Sequence, residues 1–412
     1  MRILFISDNF PPEVNAPATR TYEHCREWVE AGAEVTVITG FPNFPQGKLY
    51  SGYSNSLMKK EEIDGIQVIR VWTYINANKG FVRRSLDYMS FAISSFLLGL
   101  FQKTDVIIAT SPQFFTTWSA WLLSKLKRKP WIFELRDLWP ESIATVGAMK
   151  QGQLYKLLES IELGLYKNAN LVIPNTPAFK SNLIQRGIDD DKIHVIANGA
   201  SLDLYRPDNQ DLKLKRKLGL EGKFIYGYIG THGMAHSLDF IIRSIKKIER
   251  PDIHFLFIGD GAEKQRMISL SLQLGCDNVT YLDPVEKDEV PRYLSIIDAA
   301  LVPLKRSDTF KTVIPSKIFE ACAMKKPILL GVDGQAREII ESFEAGLYFE
   351  PENQRDFIER AELLASDKEL YGKLADNALR LAESYDRKVL AKEMLGVISN
   401  YVDGLAVQHR TG

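Results

Sequence analysis

With 412 residues, 45% of them apolar and 25% charged, the chain has the make-up of an ordinary globular protein that is too long for one core and suits two domains. Lysine plus arginine equal aspartate plus glutamate at 52 each, so the basic field of a nucleic-acid binder is lacking and no nucleic-acid partner is expected. Cys25, Cys276 and Cys322 share no ligand-like spacing and read as buried thiols of a reducing compartment.

The chain opens on a strand-like run, "RILFIS" (Arg2 to Ser7), without a signal-peptide pattern, so a cytoplasmic location is expected. Short β-branched runs bounded by turn residues follow: "EVTVIT" from Glu34, "IQVIRVW" from Ile66, "DVIIAT" from Asp105, "PWIFEL" from Pro130, "NLVIPN" from Asn170 and "KIHVIAN" from Lys192. Helical periodicity separates them, which predicts one parallel α/β unit. After the polar stretch from Gly199 to Leu220 the pattern restarts with "FIYGYIG" from Phe224, "IHFLFIG" from Ile253, "VTYLDP" from Val279, "AALVPL" from Ala299, "KPILLG" from Lys326 and "GLYFEP" from Gly346. Continuously apolar strands are those buried on both faces, so the expected fold class is α/β with two Rossmann-like, doubly wound parallel sheets. The boundary is expected near Leu204 to Asp208, with an N-terminal domain over 1–204 and a C-terminal domain over 205–387. From Gln354 to about Leu405 an apolar stripe at helix spacing predicts helices, and the last, over 388–412, is expected to pack back on the first domain. Ligands of such sheets bind beyond the carboxyl ends of the strands, which predicts a site in a cleft between the two domains.

Three strand ends of the first half run into loops rich in functional groups: "DNFPPEVNAPATRTYEH" from Asp8, "ATSPQFFT" from Ala109 and "ELRDLWPES" from Glu134. They pool Glu13, Asp137, Glu141, Arg20 and Arg136 at one rim, although Arg136 could equally sit in a buried ion pair with a carboxylate. The aromatic and proline loop "FPNFPQGKLYSGYS" from Phe41 and the segment "NKGFVRRSLDYMSFAISSFLLGLF" from Asn78 fit a surface on anionic lipid, with Lys79, Arg83 and Arg84 ahead of an apolar helix. A core helix with a basic first turn is the other reading. The run from Met89 to Phe101 is too short to span a membrane, so attachment would be peripheral.

In the second half, "YIGTHGMAHS" (Tyr228 to Ser237) leaves a strand through Gly230 and Gly233 toward a helix starting near Ser237, a place where backbone amides can meet a diphosphate. A plain tight turn gives the same pattern. Thr231, His232 and His236 lie in it, and the two histidines could meet phosphate or form a helix start. "FIGDGAEKQ", with Gly259, lacks the third glycine of a dinucleotide fingerprint, and no Walker A pattern occurs. "PLKRSDTFKTVIPSKIFE" (Pro303 to Glu320) concentrates Lys305, Arg306, Lys311 and Lys317 before one carboxylate. If Ser316 is the N-cap, its hydroxyl satisfies one amide and leaves others for an anion, and Glu320 falls at the fourth helical position. Glu320 could instead serve only the helix dipole. The histidines have no zinc-type spacing and no metal is expected.

These stretches, in this order, resemble the family-4 retaining glycosyltransferases of the GT-B fold over essentially the whole chain, from "PPEVNAPATRTYEHCREWVEAGAEVTVIT" through "HVIANGASLDLYRP" to "PSKIFEACAMKKPILLG". "TGFPNFPQGK", "TSPQF", "RDLWPES" and "PSKIFE" together resemble its WbuB-like branch, which builds O-antigen and capsule polysaccharides. The resemblance implies two domains facing across a cleft, with a nucleotide diphosphosugar on the second and the acceptor on the first. The family's motif of two glutamates separated by seven residues places its ribose-binding member on Glu320. Its sugar-side member falls on Thr312. The Arg and Lys that the family usually sets around the diphosphate are replaced by Thr231, His232, Met234 and His236, so Lys305, Arg306, Lys311 or Lys317 would supply the charge. Backbone around Pro284 and Val285 would hold the base. Arg136, Asp137 and Glu141 stand at the catalytic end of the first domain, Glu13, Asn15, Ala16 and Arg20 on its acceptor side. The resemblance also implies a UDP-sugar donor, N-acetyl-L-fucosamine being one choice, no cofactor, an undecaprenyl-diphosphate-linked saccharide acceptor, and peripheral attachment to the inner face of the cell membrane. A UDP-sugar 2-epimerase would use the same architecture, and a non-catalytic two-lobed binding protein ranks last.

Overall fold

The computed structural model describes every residue except 45, 76–80, 112–113, 142–143, 145–151, 208–209 and 412, and of 81, 82, 84, 114 and 406–411 it describes the backbone alone. Lys79, Pro112, Gln113, Ser142, Asp208 and the side chain of Arg84, all singled out from the sequence, lie outside the described residues. The chain forms two compact units, Met1–Ala197 with Arg387–Gly412, and Asn198–Asp386.

In chain order the first unit contains β1 (Arg2–Ile6), α1 (Ala16–Glu30), β2 (Glu34–Gly40), β3 (Met58–Ile63), β4 (Ile66–Val71), α2 (Phe81–Gly99), β5 (Val106–Thr110), α3 (Phe114–Lys127), β6 (Trp131–Leu135), α4 (Gln153–Asn168), β7 (Leu171–Pro174) and α5 (Pro177–Gln185). Its strands are ordered β3-β4-β2-β1-β5-β6-β7, parallel except for the β3–β4 pair. Every residue of β5 and β6 is buried, including Thr110 and Glu134 among their apolar neighbours. The polar β3, "MKKEEI", was not read from the sequence as a strand. It is an edge strand with mostly exposed side chains, closed onto β4 by Asp64 and Gly65, both at positive φ, and that Asp-Gly pair is the signal that marks the hairpin. "KIHVIAN", expected to be a strand, makes a single bridge, Ile193 with Val172. The amides of His194 and Ile196 donate to Val172 O and Pro174 O of β7 at 3.1 and 3.0 Å, while the carbonyls of Ile196 and Ala197 accept from the Arg20 guanidinium at 2.9 and 2.6 Å.

The second unit contains α6 (Leu212–Lys217), β8 (Phe224–Ile229), α7 (Leu238–Ile245), β9 (Ile253–Ile258), α8 (Lys264–Leu274), β10 (Val279–Leu282), α9 (Val290–Ile296), β11 (Ala299–Pro303), α10 (Lys317–Ala323), β12 (Ile328–Gly331), α11 (Gln335–Phe343), β13 (Gly346–Tyr348), α12 (Gln354–Ser366) and α13 (Lys368–Ser384). Its order β10-β9-β8-β11-β12-β13 is parallel throughout. Both sheets are doubly wound and Rossmann-like. The chain changes unit at Ala197 rather than near Leu204, because Ala200 already bridges Asp386 and Tyr205 is buried in the core of the second unit. The last helix, α14 (Arg387–Thr411), belongs to the first unit. Met394 and Ile398 join the core around Trp28, whose indole donates to Ala391 O at 2.8 Å, and Arg387 pairs with Glu23 of α1.

Candidate functional site

The strand ends of the second unit are brought together by glycine. Gly230, after β8, takes φ 142°, and Gly259 and Gly261, after β9, take 141° and 153°. A Cβ on Gly259 would lie 2.0 Å from Gly230 O, and one on Gly261 2.5 Å from His232 O, so the two turns stack backbone on backbone and no side chain fits. Gly261 was not singled out in the sequence, though the G-x-G spacing of "FIGDGAEKQ" is its signal. Gly233 has φ −106°, which any residue adopts, and a Cβ there would meet nothing nearer than His236 Nδ1 at 3.5 Å. Thr231 is exposed and its carbonyl accepts from the Tyr228 hydroxyl at 2.6 Å.

Helix α10 points its first turn at this place. Ile318, Phe319, Ala321, Cys322 and Ala323 are buried, which leaves Lys317 and Glu320, three apart, sharing its open edge. The buried Nζ of Lys317 makes no hydrogen bond; it sits 3.8 Å from the ring centroid of Tyr228 and 3.0 Å from where a Cβ on Gly230 would stand. Burial pushes this amine down to about 7, with Glu320 opposing the shift. His232 and His236 pack on the same tyrosine, at centroid distances of 5.6 and 5.8 Å. Burial first, then nearby lysines, push them down to about 4 and about 3, so both are neutral at pH 7. Neither ring nitrogen of His232 has a partner, whereas His236 Nδ1 lies 3.4 Å from Gly233 O.

Glu320 is not isolated. Its carboxylate lies 3.6 Å from Lys287 Nζ, with both side chains 21% exposed. Lys287 ends the "YLDPVEK" stretch and was not singled out. In the same loop Pro284 is exposed and Val285 half-buried. The expected cap at Ser316 is corrected: Ser316 is in the α conformation and its side chain makes no cap bond, while the amides of Ile318 and Phe319 go to the carbonyls of Pro315 and Ser316. Thr312 closes a 3-10 turn over Thr309–Thr312 by donating to Thr309 O at 2.7 Å.

The basic loop divides. Arg306 pairs with Glu350 at 2.5 Å and bonds Pro351 O, and Lys311 pairs with Asp308 at 2.8 Å. With Lys305 they line a separate space of about 470 Å³ that also includes Tyr348. Only Lys317 of the four turns toward Gly230.

On the first unit, structure and expectation part at Arg20. It is buried, donates to Glu134 at 2.8 Å and to two backbone carbonyls, and so is a structural pin and not an acceptor ligand. Glu13 is also corrected: it is 4% exposed and its Oε1 accepts the amides of Asn43 and Phe44, both at 2.8 Å, which fixes the aromatic loop. Burial pushes its carboxyl up to about 7. Asn15 caps α1 by accepting from Ala18 N at 2.9 Å. Ala16 O accepts from Arg136 Nη2 at 3.0 Å, and Arg136 Nη1 is buried with no partner. Burial, opposed by Glu134, brings Arg136 down to about 10. The Ser111 hydroxyl accepts the amides of Arg136 and Asp137 at 2.8 and 3.4 Å, which fixes the loop after β6. Asp137 and Glu141 are half-buried on that loop.

Helix α2 also carries an unusual surface. Phe91, Ser95 and Gly99 face inward, with Ser95 bonded to Ser119 of α3 at 3.1 Å and Gly99 against Leu123. Leu86, Met89, Ile93, Leu97 and Phe101, at helix spacing, are 44 to 80% exposed, as are Leu122 and Leu126 of α3 at 41 and 64%. Arg83, Lys103, Lys125 and Arg128 are exposed on the same two helices and their ends. No described helix is long and apolar enough to cross a membrane.

Comparison with known proteins gives a consistent picture. The family profile described as Glycosyl transferase 4-like domain matches residues 15–199, and that described as Glycosyl transferases group 1 matches residues 210–380. A glycosyl transferase of Escherichia coli K12 named for colanic acid biosynthesis, WcaI, is 27% identical over 334 residues, 79% of this chain and 81% of that protein. TuaH of Bacillus subtilis, named for teichuronic acid biosynthesis, is 26% identical over 60% of this chain and 62% of its own length. Among solved structures, HepE of Anabaena in complex with UDP and glucose has a TM-score of 0.74 at 17% identity, covering 97% of this chain and 100% of that one.

Proposed function

This chain belongs to the family-4, group 1 glycosyltransferases of the GT-B fold, and from that membership we propose that it is a retaining enzyme moving a sugar from a UDP-sugar to a lipid-linked saccharide in surface-polysaccharide synthesis. The observation that carries the donor side is Glu320 on the open edge of α10, next to Lys317 and the Gly230 turn. A half-buried carboxylate held there can accept from both ribose hydroxyls, each a charge-assisted hydrogen bond. In this reading the diphosphate lies against the Gly230, Thr231 and His232 backbone, with His236, Gly259, Ser316 and Thr312 around it. The base rests on Pro284 and Val285. WcaI and TuaH, both named for surface polymers, and HepE, solved with UDP, support the substrate classes. An L-fucosamine-type donor, the WbuB-like branch and an undecaprenyl-diphosphate carrier are the finer form of the same proposal.

In the reaction the bond from the anomeric carbon to the diphosphate breaks and the acceptor oxygen bonds to that carbon on the same face. The acceptor proton passes to the departing phosphate, leaving UDP. Such a step depends on donors placed where charge develops on the leaving group, and needs little from a protein base. Asp137 and Glu141 orient the acceptor, and Arg136 lies beside them. The exposed apolar stripe of α2, with its flanking Arg83 and Lys103, rests on the anionic inner face of the membrane, where a lipid-linked acceptor would be met.

The test is UDP release from a panel of UDP-sugars, with and without polyprenyl-diphosphate saccharides. Release only when a lipid acceptor is present supports the proposal. No turnover of any sugar donor would sink it, and an epimerised donor formed without acceptor would replace it with an epimerase.

A further inference from the structure

We propose that Lys317, reaching in from the start of α10, is the cation that holds the donor's diphosphate in this chain, with the imidazole of His232 as a second donor beside it. The proposal rests on the UDP-sugar reading above and specifies how the phosphates are held. The turn after β8 carries Thr231 and His232 and has no cationic side chain of its own. Of the four basic residues between β11 and Glu320, Arg306 and Lys311 are engaged by Glu350 and Asp308 and line another space with Lys305. Lys317 is different. Its Nζ is buried, has no hydrogen-bond partner, and is as close to the Gly230 position as a side-chain atom can come, 3.0 Å from the missing Cβ.

A buried ammonium with three unused donors is costly, and so is a buried imidazole with two unpartnered nitrogens. Native structures rarely leave such groups without cause, and one cause is a ligand still to come. Here both orphans pack on one ring, that of Tyr228, at the turn where Gly230, Gly259 and Gly261 remove every side chain from the backbone. A diphosphate there would accept from Lys317 Nζ, from one His232 nitrogen and from turn amides. Tyr228 cannot compete for the anion, since its hydroxyl donates to Thr231 O.

The groups facing Lys317 set its proton affinity: the face of Tyr228 on β8, His232 and His236 after it, and Glu320 on its own helix, itself beside Lys287. Lys264 and Asp260 act on His232 from the β9 side. Without ligand the amine sits at about 7, and a neighbouring dianion raises it. Diphosphate binding therefore takes up a proton, and affinity falls as pH rises above about 7. His232 and His236 stay neutral throughout this range and add no slope.

The experiment is calorimetric titration of the full chain with UDP and with uridine, for wild type, Lys317→Met and Glu320→Ala. It is run above the pH at which the terminal phosphate of UDP itself titrates. Wild type is expected to lose UDP affinity about tenfold between about pH 7.5 and 8.5, with no change for uridine. Lys317→Met should weaken UDP about ten- to hundredfold at pH 7.5, leave uridine binding intact and flatten the pH profile. Glu320→Ala should weaken UDP and uridine alike. If wild type binds UDP with a flat profile, or Lys317→Met keeps the wild-type preference for UDP over uridine, the assignment of Lys317 is overturned while the nucleotide site stands. The wild-type profile decides even where the variant fails to fold. If wild type binds neither compound, the donor reading itself falls.

Discussion

Arg20 and Glu134 form an ion pair of 2.8 Å in which both side chains are 2% exposed, tying α1 to β6. The arginine also holds the carbonyls of Ile196 and Ala197, so one guanidinium fixes a helix, a strand and the end of the first pass through the unit. Breaking such a pair on one side leaves a buried charge, which costs about 3 to 5 kcal/mol. Arg20→Met should therefore destabilise the first unit by about that amount, and the double variant Arg20→Met with Glu134→Leu should recover part of the loss. All 6 tryptophans lie in the first unit, so their emission during urea unfolding reports on it alone. An Arg20→Met protein as stable as wild type would restore the residue to the acceptor side.

Glu13 gives the same unit a pH-dependent stability. Its folded carboxyl is raised from 4.5 to about 7, chiefly by burial, with Asp8 adding and the two amide bonds opposing. A raised carboxyl favours the folded state while protonated, so this contribution is intact below about pH 4.5 and is lost as pH rises toward 7. At about 1.4 kcal/mol per unit the loss is of order 3 kcal/mol. Glu13→Gln keeps an acceptor for Asn43 and Phe44 without the charge. It should be more stable than wild type at pH 8 and nearly equal at pH 4.5, as read by urea midpoints at the two pH values.

The strand cores were legible because β5, β6, β9 and β11 are buried on both faces and their residues are apolar at every position but Thr110, Glu134 and His254. β3 was not, because an edge strand with solvent on both sides has no apolar pattern to show. "KIHVIAN" misled for the opposite reason: Ile193 and Ile196 are buried as in a strand, but the carbonyls of Ile196 and Ala197 go to Arg20 from far away in sequence. The donor-side residues show the same limit. Glu320 and Lys317 were visible as types at a helix start, whereas Lys287 beside Glu320 and Tyr228 beneath Lys317 depend on which strand ends the sheet order makes neighbours.

The face of α2 predicts lipid binding that depends on both apolar contact and charge. Ile93 and Leu97 are 57 and 51% exposed, whereas Phe91 and Ser95 of the same helix are buried, Ser95 bonding Ser119 and Gly99 facing Leu123 of α3. Replacing both with glutamine removes roughly 1.5 to 3 kcal/mol of insertion for each side chain that would be fully buried. The double variant should stay folded and lose co-sedimentation with vesicles of phosphatidylcholine and phosphatidylglycerol, and wild-type binding should weaken when phosphatidylglycerol is omitted. Turnover of a short-chain, water-soluble acceptor should be unchanged. Equal vesicle binding by the variant and wild type would remove α2 from the membrane.

Glu320 makes a prediction that separates ribose recognition from helix electrostatics. In the first turn of α10 a carboxylate stabilises the helix by about 0.3 to 1 kcal/mol whatever the ligand, so Glu320→Ala alone cannot distinguish the two roles by its effect on stability. Binding can. Hydrogen bonds from a ribose to this carboxylate are charge-assisted and contribute about 1.5 to 3 kcal/mol, so the variant should bind UDP about ten- to hundredfold more weakly. The dideoxy analogue of UDP, lacking both ribose hydroxyls, should bind wild type and Glu320→Ala equally, because the groups that touch the carboxylate are gone from one side or the other. Lys287, 3.6 Å from the carboxylate, should matter through Glu320 alone, so Lys287→Met should weaken UDP less than Glu320→Ala does and have no effect in its background. A dideoxy analogue that loses affinity as strongly as UDP in Glu320→Ala would show that the carboxylate shapes α10 and does not meet the ribose.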